Sequence, residues 1–154
     1  MGQSLAQNYL HFIFSVKNRK PLISESIEQD VFRYIGGLCK KLECPPLEVG
    51  GYKIMVIYYA WYLNMLSKKV TLSTLVAKVK SKSSKWIKSK GSTYTSFYWQ
   101  NGYGTFSITS SQVTTIRTYI RSKKEHHQNI SFEEEYRNIL RECNVRFDER
   151  YVWD

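Results

Sequence analysis

Leu47-Glu48-Val49-Gly50-Gly51-Tyr52-Lys53-Ile54-Met55-Val56-Ile57-Tyr58-Tyr59-Ala60-Trp61-Tyr62-Leu63 is the stretch on which the fold turns. Its β-branched and aromatic residues favour extended backbone, and two glycines interrupt it. Residues 47–49 and 54–63 read as two strands joined near Gly50-Gly51. The second is uniformly apolar, as befits an interior strand covered on both faces. Helical periodicity flanks this pair on either side. Ile27, Val31, Tyr34, Ile35 and Leu38 recur at helical spacing within 24–42, and Pro45-Pro46 stops them. Leu72, Leu75, Val76, Val79, Trp86 and Ile87 form one stripe within 71–90, which Gly91 ends.

Further out, residues 9–16 are short, aromatic and β-branched, and polar residues 17–21 close them as a turn would. Residues 97–109, rich in aromatics and glycine, read as a last strand. The order β-α-β-β-α-β predicts an α+β fold, a ferredoxin-like antiparallel sheet with helices on one face. Thr109-Ser110-Ser111-Gln112 and Ser131-Phe132-Glu133-Glu134 have the spacing of capping boxes, which predicts additional C-terminal helices.

The chain has 154 residues, 42% apolar and 15% aromatic, enough for a single domain over 1–154 with its own core. Cys39, Cys44 and Cys143 are odd in number and lack a zinc-finger spacing, which suits reduced thiols in the cytoplasm. The uncharged, mostly apolar run 54–67 falls short of the ~20 apolar residues that cross a bilayer, and the N-terminus has no signal-peptide pattern, so no membrane role is expected.

The net charge of +10 is unevenly spread: residues 49–124 hold 11 Lys and two Arg and not one Asp or Glu. A positive field concentrated on part of a domain attracts a polyanion, which makes nucleic acid the expected partner. Lys78, Lys82, Lys85 and Lys88 fall opposite the apolar stripe of their helix and are candidate phosphate contacts, with Arg117 and Arg121. Trp99, Tyr103 and Phe106 either stack on unpaired bases or pack in the core; core packing is favoured for Phe106.

Several segments then act together: Gln3-Ser4-Leu5, Tyr9-Leu10-His11, residues 17–23, Gly50-Gly51, Ser83-Ser84-Lys85-Trp86, Trp99-Gln100-Asn101-Gly102-Tyr103-Gly104, Ser107 and the ending Asp148-Glu149-Arg150-Tyr151-Val152-Trp153-Asp154. Spread over nearly the whole chain, they resemble the single-tyrosine transposases of the IS200/IS605 type, the REP-associated tyrosine transposases of the HUH family. The resemblance implies the same fold, a homodimer, and binding of hairpin or single-stranded DNA ends. It also implies that Tyr119 is the catalytic nucleophile, keeping the 5′ end as a phosphotyrosine while the 3′ hydroxyl leaves. Such an intermediate conserves the energy of the broken phosphodiester, so the strand can be rejoined without ATP.

Tyrosine is a weak nucleophile at neutral pH, and a divalent ion, Mg²⁺ or Mn²⁺ in intact relatives, orients the phosphate and neutralises developing charge. By the resemblance its ligands are two histidines on the third strand and a glutamine four residues after the tyrosine. Here Lys123 stands at the glutamine position, and a protonated lysine has no lone pair to give. Counting forward from Gly50-Gly51-Tyr52 puts the histidine positions at Met55 and Ile57, whereas counting back from Leu66-Ser67-Lys68-Lys69 puts them at Tyr59 and Trp61. Neither register offers an imidazole, so no bound metal is expected. His11, His126 and His127 read as structural or DNA-contacting rather than ligating, because converging partners are missing.

The genetic code supplies an account of the loss. The family's Asp-His-Val-His-Ile-Leu-Cys, written GAT CAT GTN CAT ATA CTA TGC and read one nucleotide later, becomes Ile-Met-x-Ile-Tyr-Tyr-Ala. The chain has Ile54-Met55-Val56-Ile57-Tyr58-Tyr59-Ala60, identical at six of seven places. A local frameshift, corrected before Leu66, would erase the metal strand and leave an apolar one in its place. The expected function is therefore an IS200/IS605-type transposase whose catalysis is impaired. The alternative is a DNA-binding protein or transposase remnant that keeps hairpin recognition alone. An RNA-binding domain is disfavoured because the aromatic-rich last strand lacks the RNP1 pattern.

Overall fold

The computed structural model describes residues 2–3, 5–19, 22–54, 57–122 and 130–154. Strands β1 (Tyr9–Ser15), β2 (Pro46–Ile54), β3 (Ile57–Met65) and β4 (Gly104–Ile108) form one antiparallel sheet in the order β2-β3-β1-β4. Helix α1 (Glu25–Lys41) links β1 to β2, and α2 (Leu72–Lys88) links β3 to β4. This is the predicted β-α-β-β-α-β arrangement, with the apolar third strand inside the sheet. Beyond β4 come α3 (Val113–Arg121) and α4 (Phe132–Glu142).

Local signals start the helices as read. Thr71 caps α2 by accepting from the Thr74 amide at 3.2 Å, and Ser131 caps α4 by accepting from the Glu134 amide at 3.2 Å. The Gln112 side chain accepts from the Thr109 amide at 2.9 Å, closing the box that leads into α3. At the start of α1 the Ser24 hydroxyl does not cap the helix but meets the Tyr94 hydroxyl at 2.6 Å, joining α1 to the segment after α2.

Leu10, Phe12, Phe14 and Val16 pack with Val31 and Ile35 of α1 and Leu75, Val79 and Ile87 of α2. On the other side of β1, Ile13 joins Phe106, Ile120, Phe132, Tyr136 and Leu140, so α3 and α4 cover the second face. The additional helices thus make a third layer. Its physical origin is the first strand, which is buried at both parities and so needs cover on both sides.

Two boundaries differ from the sequence reading. Gly50-Gly51 lies inside β2, opposite Trp61 and Ala60, and the chain reverses after Ile54. Bare backbone is needed there because a Cβ at Gly50 would stand 2.8 Å from the Ile120 Cγ2. The pair is a docking bed for α3, not a turn. The last strand is also shorter than 97–109: Trp99 bridges Val16 in antiparallel fashion, but the ladder then breaks and resumes only at Gly104.

Candidate active site and nucleic-acid interface

Helix α3 buries Ile120 and leaves Tyr119 half-buried, with its hydroxyl donating to Oε1 of Glu135 on α4. Burial pushes the Glu135 carboxyl up to about 7, so it changes charge near neutrality. The pair faces a cleft of about 510 Å³ with His11, Ser107, Gln112, Asn138 and Glu142 in its walls. A tyrosine hydroxyl held by a carboxylate has a proton acceptor in place, and the cleft leaves room for a phosphodiester. Glu135 carried no sequence signal: it is one of three consecutive glutamates at the start of α4.

The residues near Tyr119 do not fit a hard divalent ion. Ser15 lies opposite Tyr59, Ile13 opposite Trp61 and His11 opposite Leu63, so positions 59 and 61 run alongside the strand whose Ile13 packs in the Tyr119 layer. Ile57 instead pairs with Ile54 at the end of the hairpin. Mg²⁺ and Mn²⁺ take carboxylate, imidazole and water, and neither pair of positions carries such a donor. Among the described residues no three His, Cys, Asp or Glu side chains converge. Met55, Lys123, His126 and His127 lie outside the described residues.

The basic surface divides into working and structural parts. Lys78, Lys82 and Lys85 are exposed along α2, and Lys88 reaches back so that its Nζ stands 3.5 Å from the Tyr98 ring centre. Arg117 and Arg121 are not open cations, because Glu48 on β2 lies 3.6 Å from the Arg117 Nε and 2.7 Å from the Arg121 Nε. The acid just outside the acid-free span thus folds back between them, and the trio keeps one net positive charge.

Trp99 is 6% exposed, its indole N–H donating to the Ser83 Oγ at 2.9 Å and its ring edge-on to Phe14 and Phe97. It is a core residue with no face left for a base. Phe106 is buried as favoured, and Tyr103 is half-buried beneath Lys80, 5.3 Å from the Nζ. The exposed ring is the neighbouring Tyr98, at 55%. Its selection over Trp99 follows from which side of this irregular segment faces α2, a parity no local rule supplies.

Lys80 is the missed residue of the region. Its Nζ donates to the carbonyls of Gln100 (2.9 Å), Asn101 (3.2 Å) and Gly102 (2.6 Å), and burial lowers its pKa to about 8. Gln100 ties the same loop to β1, its amide donating to the Ser15 carbonyl at 2.9 Å and its Oε1 accepting from the Ser15 amide at 2.7 Å. The chain's end closes the arrangement: the Gly102 amide donates to the Asp154 carbonyl at 2.6 Å, and Trp153 packs edge-on against Phe132 and Tyr136 of α4. The two C-terminal motifs singled out in the sequence therefore meet, and they brace α4 and Glu135 behind Tyr119.

The family model described as "Transposase IS200 like" matches residues 4–123, more than three-quarters of the chain and including Tyr119. The chain belongs to that family. No curated protein matches it by sequence. In three dimensions this IS200-like transposase is similar to a protein of Deinococcus radiodurans R1 described as a transposase, at 13% identity and a TM-score of 0.59, with 80% of this chain and 96% of that one covered. It is also similar to a REP-associated tyrosine transposase bound to a REP hairpin, at 13% identity and a TM-score of 0.55, with 100% and 93% covered. At that identity the likeness is one of fold. No described helix of the transposase is long and apolar enough to cross a membrane.

Proposed function

We propose that this IS200-like transposase binds hairpin or single-stranded DNA ends, with Tyr119 in the nucleophile's place, and that its strand-transfer step is impaired. The observation that carries the reading is the Tyr119 hydroxyl, held by Glu135 in the wall of a cleft of mixed polar and apolar lining. In the reaction, the Tyr119 oxygen forms a bond to phosphorus and the bond from phosphorus to the 3′ oxygen breaks. Glu135 takes the phenol proton, and a solvent water protonates the 3′ oxygen as it leaves. Support for impairment comes from the donor chemistry: Tyr59 and Trp61, or Met55 and Ile57, and Lys123 give no site for Mg²⁺ or Mn²⁺, leaving the charge developing on phosphate without a neutralising ion. DNA as ligand is supported by the acid-free basic span and by the family. The hairpin held by one structural relative points to the same ligand.

The same donor chemistry favours a second reading, a hairpin-binding protein that no longer cuts. One assay separates the two. Full-length protein is mixed with end-labelled hairpin DNA, with and without Mn²⁺, and complexes are resolved on native and on denaturing gels. The expected result is a salt-sensitive complex on the native gel and no labelled protein on the denaturing one. A Mn²⁺-dependent adduct that disappears in Tyr119→Phe would refute the impairment. Light scattering on the same sample tests the homodimer that the resemblance implies.

A further inference from the structure

Between α2 and the segment after Tyr98 lies a notch of about 520 Å³, on the opposite side of the sheet from Tyr119. Lys85, Lys88, Ser81, Ser84 and Asn101 line it together with Tyr98, and among the described residues its lining contains no acidic side chain. The exposed Tyr98 ring is the aromatic face it offers to solvent, since Trp99 is buried against Phe14 and Phe97. The rim is set in advance: Lys80 takes the carbonyls of Gln100, Asn101 and Gly102, which would otherwise repel an anion.

We infer that this notch is the docking subsite for one unpaired nucleotide of DNA, the base stacking on Tyr98 and its phosphate held by Lys85 and Lys88. In the free protein the Lys88 ammonium covers the ring. A bound nucleotide gives each group a better partner, because the base replaces the ammonium on the ring and the ammonium moves to the phosphate. The volume fits one nucleotide rather than a duplex, and hydroxyl and amide groups in the wall suit its sugar and base edge. The loop leaving the notch becomes β4, the edge strand, whose Ser107 and Ile108 line the Tyr119 cleft. A single strand anchored at Tyr98 therefore has a continuous path round that edge to Tyr119.

The inference rests on the DNA-binding reading and is tested so that the two can fail separately. Fluorescence anisotropy compares a blunt hairpin with the same hairpin carrying a short single-stranded extension, for wild type, Tyr98→Ala and Tyr98→Phe. Loss of stacking in Tyr98→Ala is expected to weaken the extended hairpin about ten-fold, or 1.4 kcal/mol, and to leave the blunt one unchanged. Tyr98→Phe keeps the ring and stays within about two-fold. Tyr98→Ala binding both hairpins like wild type, losing both equally, or being matched by Tyr98→Phe would each overturn the notch while DNA binding stands. Wild type binding neither hairpin would overturn both. On wild type, photo-cross-linking from 5-iododeoxyuridine in the extension is expected to map to Tyr98 by mass spectrometry; a cross-link that maps elsewhere in the chain overturns the assignment whatever the variants do.

Discussion

Glu135 combines a buried carboxyl, a raised pKa and a bond to the Tyr119 hydroxyl. Its folded pKa of about 7 stands above the ordinary 4.5, so the folded state binds the proton more tightly than the unfolded one. That contribution to stability is fully present below about pH 4.5 and is lost as pH rises through about 7. Glu135→Gln removes the ionisation but keeps an acceptor for the phenol. Thermal melts are expected to show it equal to wild type at pH 5 and more stable by about 1–3 kcal/mol at pH 8, at about 1.4 kcal/mol per pKa unit with some solvent screening. Identical melting curves at both pH values would mean that the carboxyl is not desolvated. Lys80 is the second residue whose role is set by burial. Its charge is stabilised by three carbonyls rather than by an acid, so Lys80→Ala strands those carbonyls together. A loss of about 2–4 kcal/mol is expected, with faster hydrogen exchange at the Gly102 amide, which bonds the chain's last residue.

At the level of elements, β3 and the cover over the second face decide what the protein can do. The strand holds its interior place in the sheet with Tyr59 and Trp61 where the backbone register passes the Tyr119 layer, and under the proposed frameshift it would keep the fold while losing the metal donors. Undoing the one-nucleotide shift, so that 54–60 read Asp-His-Val-His-Ile-Leu-Cys, and adding Lys123→Gln, is expected to create a divalent-ion site. Isothermal titration with Mn²⁺ should detect binding in the rebuilt chain and none in the original, and Mn²⁺ should raise only the rebuilt chain's melting temperature. Equal Mn²⁺ binding by both chains would refute the account of the lost strand. Helix α4 depends on bare backbone in the same way that α3 does. A Cβ at Gly104 would stand 2.7 Å from the Tyr136 ring, and Tyr136, whose hydroxyl is pushed up to about 12 by burial, sits one residue beyond Glu135.

Over the whole molecule, charge and layers set the proposed recognition surface apart from the proposed reaction site. The exposed lysines of α2 lie on one side of the sheet and the Tyr119 cleft on the other, with the β4 edge between them. Phosphate contacts release counterions, so affinity for hairpin DNA is expected to fall linearly in a plot of log K against log salt. Replacing Lys78, Lys82 and Lys85 by Gln should reduce that slope by about one for each phosphate no longer neutralised, without shifting the melting temperature by more than a degree or so, since all three are exposed. Unchanged slope with unchanged stability would move the DNA surface away from α2. Arg117 and Arg121, which share the single negative charge of Glu48, are expected to contribute less per residue to the slope than any of the three lysines.

The element order was legible in the sequence because periodicity, caps and Pro-Pro or Gly stops are local and because a uniformly apolar strand has few places to go. The family was legible too, through motifs spread along the chain, and the roles given to Tyr119 and the ligand positions follow from that resemblance. Tertiary structure alone decided the rest. Gly50-Gly51 read as a turn until Ile120 came to rest on it, and the last strand read as one run although its ladder breaks between the Val16–Trp99 bridge and Gly104. Trp99 and Tyr98 are adjacent, and which of them is buried depends on how an irregular loop meets α2. Glu48 and Arg121 are 73 positions apart, and Tyr119 and Glu135 sit on different helices. Pairings of that kind depend on how whole layers pack, and a chain read residue by residue carries no term for them.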